Sequence, residues 1–196
     1  MYSPVWGHAN SVIVTPAYTP ELDFGSRYGS YQALVHIADT QFDPNGDGIL
    51  ASGNNGPGLF GAERDAALLA LRTPLGDRTG WMEIDPTFRA GWAHLSGYPD
   101  VYGYERLTDD VAQAFDAASD SYTHISNFEV HRGNSGGPVW HYDSLGRPAV
   151  VAIVSTANTF NDANPSNDRG VAAFDVAGVW DPGIRQWMEA NNHLIT

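Results

Sequence analysis

The chain has 196 residues, 42% of them hydrophobic and 12% aromatic, so it can bury a sizeable core and does not have the composition of a disordered segment. Its formal charge of −13 disfavours nucleic acid and anionic membranes as partners, since both need a basic face. With no cysteine there are no disulfides, thiol nucleophiles or thiolate metal sites, and the redox compartment stays open.

The first stretch, "MYSPVWGHANSVIVTP", lacks a basic start and has only a three-residue apolar run, so it does not read as a signal peptide. It reads as a turn leading into a strand, and the expectation is that Met1 is not the natural beginning of the domain. Strands are expected at Ser11–Thr15, Tyr31–Ile37, Ala66–Leu71, Ala93–Gly97, Tyr122–Phe128, Pro138–His141, Ala149–Ser155 and Gly170–Asp175. Clusters of Gly, Pro, Asn and Asp separate them, which is an all-β pattern. "RTPLGDRTGW" and "YDSLGRP" read as turns, Pro fixing φ and Gly permitting positive φ. Residues 108–120, "TDDVAQAFDAASD", read as a short helix or a surface loop. A closing helix is expected at Gly183–Asn192, where Asp181 can cap and Ile184, Trp187 and Met188 form one apolar face. No repeat, clear linker or run of transmembrane length is present.

The densest signal is "EVHRGNSGGPVWHYD" at 129–143. Glycine is costly to order, so Gly133, Gly136 and Gly137 around Ser135 need a reason. A nucleophile on a tight turn, with backbone N–H groups free for an oxyanion, would supply one; an ordinary glycine-rich loop is the plain alternative.

"GNSGGPVW" at 133–140 resembles the nucleophile turn of chymotrypsin-fold (trypsin-like) serine proteases, and "RDAALLALRTPLG" at 64–76 resembles the segment that carries their aspartate. "LSGYP" at 95–99, "PLG…TGW", "VVAIVST" and "DRGVAAFDV" are similar to the bacterial branch that includes the glutamyl endopeptidases. The resemblance covers nearly the whole chain. It implies an all-β, two-barrel antiparallel fold with an incomplete N-terminal barrel in residues 1–90, a second barrel in 91–182 and the closing helix in 183–192. It implies a serine endopeptidase that forms an acyl-enzyme on Ser135, with the amides of Gly133 and Ser135 as oxyanion hole and Asp65 orienting a histidine. Asn134 stands where digestive members carry the aspartate of the zymogen switch, so no such switch is implied.

The histidine is the gap. The family places it in a T-A-A-H-like strand end before the aspartate, and of His8, His36, His94, His124, His131, His141 and His193 only His8 and His36 precede Asp65. "WGHANSVIVTP" resembles the loop and strand that come after the catalytic histidine in related enzymes, while His36 lies in a strand-like run and His131 on the pocket wall. Two readings stand: a protease domain missing its N-terminal strands, or a catalytically inactive protease-like binding module.

By the same resemblance Glu129, Val130, His131 and Ser155 line the specificity pocket. Glu129 is either a pocket-floor acid or a structural partner of Arg132, and a histidine of glutamate-selective relatives is missing near Val154 and Ser155. "DPNGDGIL" offers Asp43, Asn45, Asp47 and the carbonyl of Ile49 in the spacing of half an EF-hand-type calcium loop, but the twelfth position is Asn54 instead of Glu. Structural Ca²⁺ and an Asx-rich turn are both open readings there. No cofactor is required, and the expectations are a monomer, a polypeptide substrate, no nucleic acid or membrane partner, and a secreted or extracytoplasmic location.

Overall fold

A computed structural model describes residues 2–3, 7–8, 11–19, 21–22, 26–38, 67–85, 87–103, 106–116, 124–158 and 169–175. The chain divides into two compact units, residues 1–81 with 183–196, and residues 82–182.

In the first unit a two-residue ladder pairs β1 (Tyr2–Ser3) with β2 (Gly7–His8). A three-stranded antiparallel sheet joins β3 (Ile13–Val14), β4 (Tyr31–Ala38) and β5 (Ala67–Leu71) in that order. The β3–β4 connection is held by Ser26, whose hydroxyl donates to Pro16 O and accepts from Tyr28 N–H. After β5, "RTPLGDRTG" holds one helical turn, α1 (Gly76–Thr79), which ends at Gly80 with φ +77°. The Thr79 hydroxyl donates back to Leu75 O at 3.0 Å and the Arg78 guanidinium reaches Tyr31 Oη at 2.6 Å, tying this turn to β4.

The second unit is a closed antiparallel barrel. Its strands are β7 (Ala90–Gly97), β8 (Thr108–Asp116), β9 (His124–Glu129), β10 (Pro138–Tyr142), β11 (Pro148–Asn158) and β12 (Arg169–Asp175). They run in the order β10-β7-β8-β9-β12-β11, and β11 pairs back with β10, so the ring has no open edge. The short strand β6 (Glu83–Ile84) adds in parallel to β11, Ala149 opposite Glu83 and Val150 opposite Ile84.

Alternation decides which side chains face inward. On β7, Ala93 and Leu95 are buried while Trp92 and His94 point out; on β8, Ala112 and Ala114 are buried and Val111 is exposed. Phe88, Phe128, Val130, Val139, Val151, Ala152 and Val154 complete the core, and the alanines suit the narrow interior of a six-stranded barrel. The hairpin between β10 and β11 is the expected "YDSLGRP" turn. Asp143 caps it by accepting from Leu145 N–H and Arg147 N–H, both at 2.8 Å, and Gly146 takes φ +73°.

Residues 108–116 correct the expectation of a helix or loop: they form β8, paired with all eight residues of β7 from Ala90↔Phe115 to Gly97↔Thr108. "DVAQAF" contains helix-favouring alanines, but two of them fit a period of two, and the ladder to β7 together with burial of Ala112 and Ala114 overrides local propensity. The same pairing extends β7 back to Ala90. The closing helix expected at Gly183–Asn192 lies outside the described residues. Among the described residues no helix is long and apolar enough to cross a membrane.

Candidate active site

The chain leaves β9 at Glu129, buries Val130 and enters a tight turn before β10 starts at Pro138. Within the turn, Asn134 N–H donates to His131 O at 3.1 Å and Gly137 N–H to Asn134 O at 2.8 Å. Outside it, Gly136 N–H donates to Val154 O at 2.7 Å, Val154 N–H returns to Gly137 O at 2.9 Å, and Asp100 N–H reaches Arg132 O at 2.7 Å. The turn is therefore stitched to β11 on one side and to the loop after β7 on the other.

The glycines have separate tasks. Gly133 at φ +94° and Gly136 at φ +82° occupy backbone space that L side chains resist. Gly137 is fixed by proximity, because a Cβ there would lie 2.3 Å from Ser96 O and 2.8 Å from Asn134 O. Asn134, 2% exposed, is the internal strut: its Oδ1 accepts the His131 N–H at 2.8 Å.

Ser135 itself is exposed. Among the described residues, the amides of Arg132, Gly133 and Ser135 have no hydrogen-bond acceptor, whereas those of His131, Asn134, Gly136 and Gly137 are committed to the turn and its anchors. A solvent-facing hydroxyl beside available donors is the arrangement an acyl-transfer nucleophile needs. An incoming carbonyl oxygen would find N–H groups that folding has not used.

Asp65 and the Asp43, Asn45, Asp47 and Ile49 loop lie outside the described residues. Glu129 ends β9 opposite Arg169 of β12, and Ser155 lies in β11 at a register shift between Val154 and Thr156. Val130 is 5% exposed and belongs to the barrel core, while His131 is half-buried at the start of the turn. His36 sits in β4 opposite Leu69, and His8 in β2 opposite Tyr2.

Two further clusters are not foreshadowed by any motif. On the outer face of the barrel, Asp109 joins His94 Nδ1 and the Ser96 hydroxyl, both at 2.7 Å. The Trp140 indole N–H donates to Ser96 Oγ at 2.9 Å, and its ring stacks on His94 at 4.2 Å between centroids. This cluster clamps β7, β8 and β10 immediately beyond the turn. Only the H-x-S alternation at 94–96 hints at it, and Asp109 is hidden in the segment expected to be helix or loop. Near β6, Asp85 accepts from the Thr87 amide at 2.8 Å and hydroxyl at 2.6 Å, and meets His141 Nε2 at 2.9 Å. Partial burial pushes the Asp85 carboxyl up, but the Thr87 hydroxyl, the Thr87 amide and His141 outweigh it and hold the group below its usual value.

A closed six-stranded antiparallel barrel with such a turn ahead of β10, in a chain that also holds a second antiparallel sheet, is an all-β chymotrypsin-like fold. Three of the solved structures that resemble the chain are proteases. One is the protease Anisep from Arthrobacter nicotinovorans, at 20% identity and a TM-score of 0.61, covering 86% of this chain and 71% of that one. A thermostable serine protease, AL20, from an extremophilic microorganism matches at 19% identity and a TM-score of 0.57, covering 89% of this chain and 71% of that one. A Glu endopeptidase matches at 14% identity and a TM-score of 0.61, covering 96% of this chain and 77% of that one. No family model and no curated protein matches the sequence.

Proposed function

We propose that the protein is a serine endopeptidase in which Ser135 is the nucleophile. In this reading Ser135 Oγ bonds to the scissile carbonyl carbon while the amides of Gly133 and Ser135 receive the oxyanion. The C–N bond then breaks, the leaving amine takes the proton lost by the hydroxyl, and water hydrolyses the ester to release the acid and restore Ser135. Asp65 holds the imidazole that carries this proton in its working tautomer. Glu129, His131 and Ser155 meet the substrate side chain, Val130 contributing backbone alone. The observation that supports the reading is the exposed Ser135 on a turn where the amides of Gly133 and Ser135 have no acceptor among the described residues, while those of Asn134, Gly136 and Gly137 are committed.

The proton acceptor is the part that the 196 residues do not supply in the family's T-A-A-H-like context. The endopeptidase reading therefore requires a histidine beyond them, and this same observation supports the second reading, a protease-like binding module without turnover. Losing the histidine of such a triad costs about a millionfold in turnover, so the two separate cleanly. A fluorophosphonate probe, which phosphonylates an activated serine, is expected to label Ser135 in a chain extended to include that histidine. The label should vanish in Ser135→Ala. An extended chain with a histidine in that context that is never labelled would leave the binding-module reading. We also propose Ca²⁺ at Asp43, Asn45, Asp47 and the Ile49 carbonyl; millimolar calcium is expected to raise the melting temperature, and no shift would remove the proposal.

A further inference from the structure

Beside the turn, on the side away from β11, lies a cavity of about 310 Å³ whose walls include Tyr102, Arg106, Asp109, Asp110, His131 and Asn134. Asn134 is nearly fully buried, and its orientation is fixed by chemistry: the His131 N–H needs an acceptor, so Oδ1 faces it and Nδ2 faces elsewhere. Nδ2 lies against Gly97, where a Cβ would come within 2.6 Å of it. Among the described residues this buried amide nitrogen has no acceptor. Buried donors are rarely left so, because nothing then offsets the cost of desolvating them.

The second available group is Arg106. Its guanidinium lies over the Tyr102 ring, 5.4 Å from the centroid, and among the described residues it has no carboxylate partner. The acids on the wall are already hydrogen-bonded to neighbouring strand residues. Asp109 gives one oxygen to His94 and the other to Ser96, and Asp110 accepts the Val111 N–H at 2.9 Å and makes further interactions. The cavity therefore presents a buried neutral donor and a cation without a carboxylate partner among the described residues, with Asp110 at its edge to discourage a doubly charged ligand.

We propose that this cavity binds a small monocarboxylate, whose oxygens accept from Asn134 Nδ2 and pair with Arg106. Since Asn134 is the strut of the turn that carries Ser135, occupancy would stiffen that turn. The inference goes beyond the hydrolase reading and does not rest on it, because binding is read without any turnover.

The test is a titration of ¹⁵N-labelled protein with sodium acetate, following the side-chain NH₂ pair of Asn134 by NMR, with sodium chloride at matched ionic strength and methylammonium chloride as controls. Acetate is expected to give a saturable shift that neither control gives. Arg106→Gln, at an exposed position, should weaken acetate binding about tenfold, the usual loss for one hydrogen bond to a charged group. Asn134→Asp keeps an acceptor for the His131 N–H but removes the donor, so the Arg106 Nε–H signal should no longer saturate with acetate. A shift no larger than that of chloride would mean that only water fills the cavity and would overturn the proposal. An equal response to methylammonium, or unchanged affinity in Arg106→Gln, would overturn it as well.

Discussion

Replacing Gly137 by alanine tests whether the turn is fixed by close approach or merely by glycine's flexibility. The new Cβ would sit 2.3 Å from Ser96 O, and contacts under 3.0 Å are essentially never seen, so the two backbones must separate by about 0.7 Å. Neither is free to move. Gly137 is held by its N–H to Asn134 O and its C=O to Val154 N–H, and Ser96 is paired with Asp109 on β8. Overpacking of this kind costs about 1–3 kcal/mol, and breaking one of the turn's hydrogen bonds adds about 1 kcal/mol. A loss of about 2–4 kcal/mol is a large part of the roughly 5–15 kcal/mol that holds a domain folded, and corresponds to a melting temperature lower by roughly 5–15 °C. Gly136→Ala is the control: its Cβ meets nothing within 4 Å, so only the positive φ is penalised, at about 1–2 kcal/mol. Urea unfolding followed by tryptophan fluorescence should rank wild type above Gly136→Ala and both above Gly137→Ala. If Gly137→Ala is no less stable than Gly136→Ala, the close-approach reasoning is wrong.

Other substitutions probe the barrel. Asp85 has a folded pKa below its unfolded value, so it contributes stability above the ordinary carboxylate range, and that contribution disappears as the pH falls through the folded value. Urea midpoints measured from about pH 5 down to about pH 3 should therefore drop less steeply for Asp85→Asn than for wild type, the window starting near the unfolded aspartate value of about 4. Ser96→Ala strands the Trp140 indole N–H and one oxygen of Asp109, and should cost about 1–2 kcal/mol with a changed near-UV CD band from Trp140. Phe128→Ala empties a site that is 1% exposed at the barrel centre and should cost about 3–5 kcal/mol by urea unfolding at constant slope.

The Gly133–Gly137 motif was legible because its spacing serves one local geometry: two positive φ values, one close approach and an exposed hydroxyl between them. All eight expected strand positions fall on observed strands for the same kind of reason, since runs such as "ALVHI" and "VVAIVS" are apolar, β-branched and bounded by turn residues. Residues 108–116 could not be read that way. Alanine and glutamine suit a helix as well as a strand, and only the partner strand β7 and the barrel interior choose between them. Asn134 looked like a variation in a motif, yet the fold makes it the buried strut that leaves a donor beside a cavity. Asp109 is 13 residues from Ser96 and 31 from Trp140 in sequence, so no local pattern could join them. Chain-local chemistry thus determined the glycine-rich turn around Ser135 and the strands. Barrel closure decided the helix-or-strand choice, the polar clamp around Ser96 and the space next to Asn134, because each depends on which strands lie side by side.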